Sequence, residues 1–477
     1  MREQLKRLAR HSAIYGVGGL VSRILAVLLL PLYTRYLDPR DYGAIETLLA
    51  LSAVLAIMLR AGISSAFFRF YFDSPEPARR LVVVRTAFWF TMASATAGLA
   101  LGLALAGPVS QLLFGTGAHA DLVRATFVGL WAQMNYEQIA ALFRVEERSV
   151  AFVCSILANL VVTVGATVAL VVWLDKGAVG VIVGSFVGTL TVYAVLLGYR
   201  REQLGLQFDG SLLHRMNRFG LPLVPSALAL WATNFSDRFF LVKLVGTAEV
   251  GLYSIGVRVA SALVLLLTAF RTAWPAFAYS IDDDDEARRT YAFVLTYLLY
   301  ICSWVALGLA LLSPWLVRLL TTPEFYAASR VVAPLAFAAV AFAGYVVMAI
   351  GVGRARKTGF NWVVTGAAAA LNVALNLILI PPYGMMGAAV ATVAAYTLMF
   401  AGMTWHAQRI YPVSYQWRRV GLAVGAAVLL TVAGKLAEVP LGLAIGLTAA
   451  YPLVLAPLGF YLPAERARLR RIVPSLR

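Results

Sequence analysis

Four arginines stand where a cation is expensive. Arg23, Arg60, Arg258 and Arg271 fall inside long apolar runs, and a charge at the middle of a bilayer costs at least roughly 2.5–3.5 kcal/mol on insertion scales. A guanidinium retained there faces a cavity or is held by a carboxylate. Arg23 is the deepest; Ser12, Gly16 and Gly19 share its helix face and leave room beside it. Arg258 shares a face with Ser254 and Ser261. For these two the cavity reading is preferred. Arg60 and Arg271 lie nearer the ends of their runs and are read equally as cavity residues or as cations that snorkel to headgroups. The acids are fewer. Glu46, Glu137 and Asp237, with Asn234 one turn before Asp237, are read as structural partners of neighbouring arginines or as sites that take up H+ or Na+. Glu46 and Arg60 share a face but are roughly 21 Å apart along it, too far to pair.

Two polar stripes accompany these charges. One is Ser155, Asn159, Thr163 and Thr167; the other is Asn361, Thr365, Asn372 and Asn376. Each keeps to one helix face. Interhelical hydrogen bonding is the preferred reading, and lining a hydrated path is the alternative. No enzyme signature accompanies them. The chain has no P-loop, nucleophile elbow or metal-ligand spacing, and "GVGG" at 16–19 opens no strand-to-helix turn. Catalysis, a resident metal and ATP-driven work by this chain alone are therefore not expected. Cys154 and Cys302 read as small buried residues without a disulfide.

The elements that carry these residues are membrane helices. The 477 residues are 61% hydrophobic and 13% charged, with mean hydropathy +0.79, against roughly 25% charged in soluble domains. About fourteen segments approach the roughly 20 apolar residues a span requires. Backbone groups in the bilayer core must bond internally, so these segments are helices, and the short alternating strands of a barrel are absent. The fold class is all-α and polytopic. Twenty-seven cations collect in every second gap between spans and nine in the intervening gaps, which places both termini in the cytoplasm. This distribution, rather than nucleic-acid binding, accounts for the net charge of +17. The acidic run 282–286 reads as a solvated loop.

An internal repeat is visible. Aligning Gly43 with Gly251 pairs Arg35 with Lys243 and leads both copies into a long helix. "GAVG" at 177–180 echoes "GMMG" at 384–387. Parallel copies of this kind are related by an axis along the membrane normal, with substrate sites at their interface. The expected organisation is an N-lobe over 1–205 (six spans), a C-lobe over 206–412 (six spans), and two further spans with a basic cytoplasmic tail over 413–477.

Particular segments carry a resemblance that covers nearly the whole chain. "LPLYTRYLDPRDYGAIE" at 30–46, "SDRFFLVKLVGTAEVGLYSIG" at 236–256, "GVGRARKTGFN" at 351–361 and "LNVALNLILIPPYGMMGAAVAT" at 371–392 resemble Wzx-type polysaccharide flippases of the multidrug/oligosaccharidyl-lipid/polysaccharide (MOP) exporter superfamily. The resemblance implies two helical lobes around a cationic cavity that opens alternately to each side of the bacterial inner membrane. It implies a substrate too: an undecaprenyl-diphosphate-linked oligosaccharide, moved from inner to outer leaflet for O-antigen, capsule or exopolysaccharide synthesis. Arg23 matches the family's first-span arginine, and Arg258 and Arg271 lie on the equivalent eighth helix, pointing to nearly opposite faces. Arginine suits a diphosphate, which it binds by charge-assisted, often bidentate, hydrogen bonds. Under this reading the polar stripes become a sugar path, membrane lipids surround the chain, and the polymerase and glycosyltransferases of the same pathway are partners. H+ or Na+ is the expected coupling ion, and no cofactor is expected. Three alternatives remain at this point: a flippase of the peptidoglycan lipid precursor, a cation-coupled drug exporter of the same superfamily, and a membrane glycosyltransferase or polymerase.

Overall fold

A computed structural model describes residues 27, 29–463 and 465. Among these residues there is no strand. The helices, in chain order, are α1 (Leu30–Tyr36), α2 (Pro39–Arg60), α3 (Ile63–Tyr71), α4 (Pro77–Ala104), α5 (Ala106–Phe114), α6 (Ala120–Val145), α7 (Ser149–Val168) and α8 (Gly177–Arg200). They continue with α9 (Gly210–Gly220), α10 (Val224–Leu244), α11 (Thr247–Tyr279), α12 (Asp284–Leu320), α13 (Ser329–Arg354), α14 (Asn361–Tyr383), α15 (Met385–Ile410), α16 (Trp417–Leu436) and α17 (Leu441–Val454).

Ten of the fourteen expected spans recur as helices long and apolar enough to cross a membrane by length and composition: α2, α4, α7, α8 and α11 to α16. The first expected span lies mostly outside the described residues. The helices α6 and α10 form as expected but fall below the apolar threshold, because each carries polar residues along its length. In α6 some of these are buried: Asn135 is fully so, and its side-chain amide donates to the carbonyl of Trp131 at 2.8 Å, while Gln133 and Glu137 are exposed. The last expected span is the shorter helix α17.

Local signals set the ends of α2. Asp38 caps it, its carboxylate accepting from the Asp41 amide at 2.7 Å, and Pro39 occupies the first turn, where its missing N–H costs nothing. The helix stops after Arg60 because Ala61 (φ 47°) and Gly62 (φ 78°) turn left-handed. Gly62 is required there twice over, since a side chain would also strike the backbone of Gly220.

The chain divides into two compact units. One runs up to Ser254 and includes Asn376–Met385; the other is Ile255–Leu375 with the chain from Met386. The boundary therefore passes through α11. In the first unit, α3, α4, α6, α8 and α9 close on a core that includes Phe67, Phe88, Phe143 and Met216. In the second, α11 to α15 close on Trp274, Tyr291, Leu299 and Met403. The helices α16 and α17 are fastened to α12, Lys435 donating to the Ser313 hydroxyl at 2.9 Å and Trp304 to the carbonyl of Thr448 at 2.6 Å, and to each other, Tyr451 donating to the carbonyl of Ala423 at 2.8 Å.

Three expectations need correction. Cys154 is exposed on α7, whereas Cys302 is buried. A thiol is as comfortable facing an apolar medium as a core, so hydropathy could not place it. The acidic run is not simply solvated: Asp283 caps α12 through the Glu286 amide, and Asp284 accepts from Arg354 at 2.7 Å. The cations of the gaps are not all orienting charges. Arg238, Arg200 and Arg419 are buried, because each meets a carboxylate that folding brings to it.

Candidate functional site

In the first unit, the end of α2 presents Arg60 to the middle of α6. Its guanidinium meets Glu137 at 2.8 Å, with the two side chains 21% and 43% exposed. Gln133, one turn earlier on α6, donates to the other Glu137 oxygen at 2.9 Å. One Arg60 nitrogen, Nη2, is buried without a hydrogen-bond acceptor. The pair is partly open, so an anion reaching it could compete with Glu137 for the guanidinium.

A second group in this unit is sealed. Asp237 and Arg238 of α10 form an ion pair at 2.8 Å, with side chains only 4% and 5% exposed. The carboxylate also accepts from the Arg238 amide at 2.9 Å and from the hydroxyl of Tyr253 on α11. Arg238 in turn donates to the carbonyl of Asn234 at 2.9 Å and lies over the rings of Phe235 and Tyr253. Glu46 of α2 is half-buried and within electrostatic range of Arg238. Asn234 is exposed and donates to the carbonyl of Leu230.

The aligned glycines of the repeat touch each other here. A Cβ on Gly43 would lie 1.8 Å from the carbonyl oxygen of Thr247, and one on Gly251 would lie 2.1 Å from that of Pro39. Thr247 precedes Gly251 by four residues, and Pro39 precedes Gly43 by four. The contact is thus reciprocal, as expected where a local two-fold axis runs between equivalent helices.

In the second unit, Arg258 on α11 is half-buried, with the Ser261 hydroxyl donating to its carbonyl at 2.6 Å. Arg271, four turns on, is exposed and lies over the ring of Phe342 on α13, 5.4 Å from its centroid. Tyr345 stacks on Phe342 at 5.8 Å, and Tyr396 of α15 packs on its edge at 5.2 Å. No carboxylate among the described residues pairs with Arg271. The offset that aligns Gly43 with Gly251, carried along without gaps, aligns Glu137 with Tyr345. An arginine near the end of α2 therefore meets an acid, while the arginine near the corresponding place on α11 meets aromatic rings.

The stripes divide. Thr163 donates to Asn159 at 3.1 Å and to the carbonyl of Ser185 on α8 at 3.3 Å; Thr189 of α8 reaches the same Asn159 oxygen at 3.4 Å. Gly188 lies against both residues, leaving no room for a Cβ. Asn372 and Asn376 are fully buried on α14, whereas Asn361 starts that helix and its backbone carbonyl accepts from Thr365 at 3.1 Å. Arg23 lies outside the described residues. The structural reading of Asp237 and Glu137, as partners of neighbouring arginines, is the one the geometry shows. Sequence reasoning missed Tyr253 and the Phe342–Tyr345 rings, because aromatics are too common to stand out.

Comparison with known proteins gives this geometry a context. A profile of the family described as "Polysaccharide biosynthesis protein" matches residues 32–330. The chain belongs to this family. Among curated relatives, it is 26% identical over 271 residues to the "Succinoglycan biosynthesis transport protein ExoT" of Rhizobium meliloti (strain 1021), a match covering 56% of this chain and 52% of that one. It is 26% identical over 288 residues to "Lsg locus putative protein 1" of Haemophilus influenzae, covering 57% and 66%. The match thus spans between half and two thirds of these relatives. Among solved structures, the lipid II flippase MurJ in an inward closed conformation superposes with TM-score 0.74 at 12% identity, covering 94% of this chain and 98% of that one. An inward-facing multidrug resistance MATE family transporter of the MOP superfamily superposes with TM-score 0.68 at 13% identity, covering 82% and 97%. The chain thus shares its fold with these two proteins, as the motif resemblance implied, and this polysaccharide biosynthesis family member carries, among its described residues, ten helices long and apolar enough to cross a membrane.

Proposed function

We propose that the chain is a flippase that moves a polyprenyl-diphosphate-linked oligosaccharide from the inner to the outer leaflet of a bacterial cytoplasmic membrane by alternating access. The observation that carries this reading is Arg271, a guanidinium on a membrane helix held by ring faces instead of a carboxylate. A cation–π contact leaves its N–H groups available, and those groups match a diphosphate bidentately. Drug cations would need the reverse, an available acid. Here Glu137 is engaged by Arg60, and Asp237 is sealed by Arg238 and Tyr253. The polysaccharide family match favours a polysaccharide precursor over the peptidoglycan one. Coupling to H+ or Na+ is assigned to Glu137, the more accessible of these two acids, and the partners are the polymerase and glycosyltransferases that consume and make the lipid-linked glycan.

Deleting the gene and complementing it with Arg271→Ala tests the reading. Surface glycan should be lost and polyprenyl-diphosphate glycan should accumulate on the inner leaflet, with the variant protein present at normal level. Full export by the variant would remove Arg271 from the site; absence of any accumulated lipid-linked glycan in the deletion strain would remove the function.

A further inference from the structure

The segment between α8 and α10 belongs to neither neighbouring span. It contains α9, whose N-terminus is capped by Asp209: the carboxylate accepts from the amides of Leu212 at 3.0 Å and Ser211 at 2.9 Å. The Leu212 amide, followed by the Ser211 hydroxyl, holds the Asp209 carboxyl below its ordinary range. One face of α9 buries Leu212, Met216 and Gly220 against the first unit. These positions are i, i+4 and i+8, so the opposite face carries His214, Arg215 and Arg218, and all three are exposed. Neither Arg215 nor Arg218 is in an ion pair with a described residue, though Arg215 lies within electrostatic range of Asp209.

The flanks of this helix are apolar where solvent-facing loops are normally polar. Leu206 is 91% exposed and Phe208 54% before the helix, Phe219 is exposed in its last turn with one edge against Phe70, and Leu221 is exposed after it. The chain is tethered close to the membrane on both sides. It leaves α8 at Arg200 and enters α10 at Val224, on the side where sequence places the cationic loops. A short helix with one face buried in protein, a basic opposite face and an apolar rim is matched to the headgroup boundary: the rim inserts among acyl chains while the cations meet negative headgroups.

We propose that residues 206–223 form a binding surface for anionic phospholipid, with Arg215 and Arg218 on the headgroups and Leu206, Phe208 and Phe219 among the acyl chains. An acidic protein partner would use the same cations but would leave the apolar rim in water, so lipid is the occupant favoured. This proposal does not depend on what the protein transports.

The test is thermal unfolding of the purified full chain in neutral detergent, titrated with phosphatidylglycerol or phosphatidylcholine. Phosphatidylglycerol should raise the midpoint and phosphatidylcholine should not. Each basic residue near an anionic surface contributes a factor of roughly five, so Arg215→Gln/Arg218→Gln should weaken the phosphatidylglycerol response by roughly 30-fold, while its lipid-free midpoint stays at that of the wild type. Leu206→Ser/Phe208→Ser should weaken it as well. Equal responses to the two lipids, or an unchanged response in the double arginine variant, would overturn the proposal. An equal shift with inorganic phosphate would make this a soluble-anion site, and a shift with polyglutamate but not with phosphatidylglycerol would make it a protein-docking face; either overturns it.

Discussion

Asp237→Asn is the sharpest probe of how the first unit is held. The ion pair with Arg238 is almost wholly excluded from solvent, with side chains 4% and 5% exposed, so screening does not soften its loss. Both carboxylate oxygens are in use, one by the amide and guanidinium of Arg238 and the other by Tyr253. Removing one member of a buried pair costs about 3–5 kcal/mol where the other charge is left alone; here Glu46, within electrostatic range of Arg238, offsets part of that. Asp237→Ala belongs at the upper end. Asp237→Asn keeps one acceptor and belongs near the lower end. Tyr253→Phe removes a single hydrogen bond to a charged group and should cost roughly 1.5–3 kcal/mol. In Asp237→Asn/Arg238→Gln neither charge remains, so the double variant should be less destabilised than the sum of the two single changes. The assay is equilibrium unfolding in mixed micelles, followed by tryptophan fluorescence. If Asp237→Asn comes within about 1 kcal/mol of the wild type, or if the double variant is additive, the pair does not anchor α10 and the structural reasoning fails.

Three further outcomes follow from the same geometry. Gly43→Ala places a methyl 1.8 Å from a backbone oxygen that cannot swing aside; it should cost about 1–3 kcal/mol or more by overpacking and lower the yield of folded protein in the membrane, and Gly251→Ala should behave alike. Glu137→Gln removes the acid held by Arg60; in purified protein it should bind a short polyprenyl diphosphate severalfold more tightly, and unchanged binding would separate Arg60 from the substrate. The Asp209 carboxyl is depressed below its ordinary 3.8, so the stability it contributes is present above that value and is lost as pH falls through its folded-state pKa. The gap in melting temperature between wild type and Asp209→Asn should accordingly close in acid, and a gap that widens in acid would contradict the cap.

Much of the scaffold was legible before any coordinates. Apolar length fixes helices because a bilayer offers the backbone no other partners. The repeat aligns Gly43 with Gly251, but that the two positions meet at backbone distance is visible only in the folded chain. Charge partnerships were far less legible. Arg60 was correctly kept apart from Glu46, but its partner Glu137 lies on a different helix, and periodicity within one helix says nothing about rotation against another. Arg200 and Arg419 looked like orienting charges. In the folded chain Arg200 meets Glu146 at 2.8 Å and Arg419 meets Glu465 at 2.9 Å.

What the amino-acid sequence determined by itself, then, is the helical membrane class, the repeat and the short set of residues whose charge needs explaining, because hydropathy and steric size act locally and can be read one residue at a time. Which of those charges are satisfied was decided only by tertiary structure. The same side chain is costly alone and settled when paired, and the pairing depends on which faces of distant helices are turned together. That is why Arg238 passes from a loop cation to a buried anchor, while Arg271, resting on the ring of Phe342, remains the arginine on which the proposed function turns.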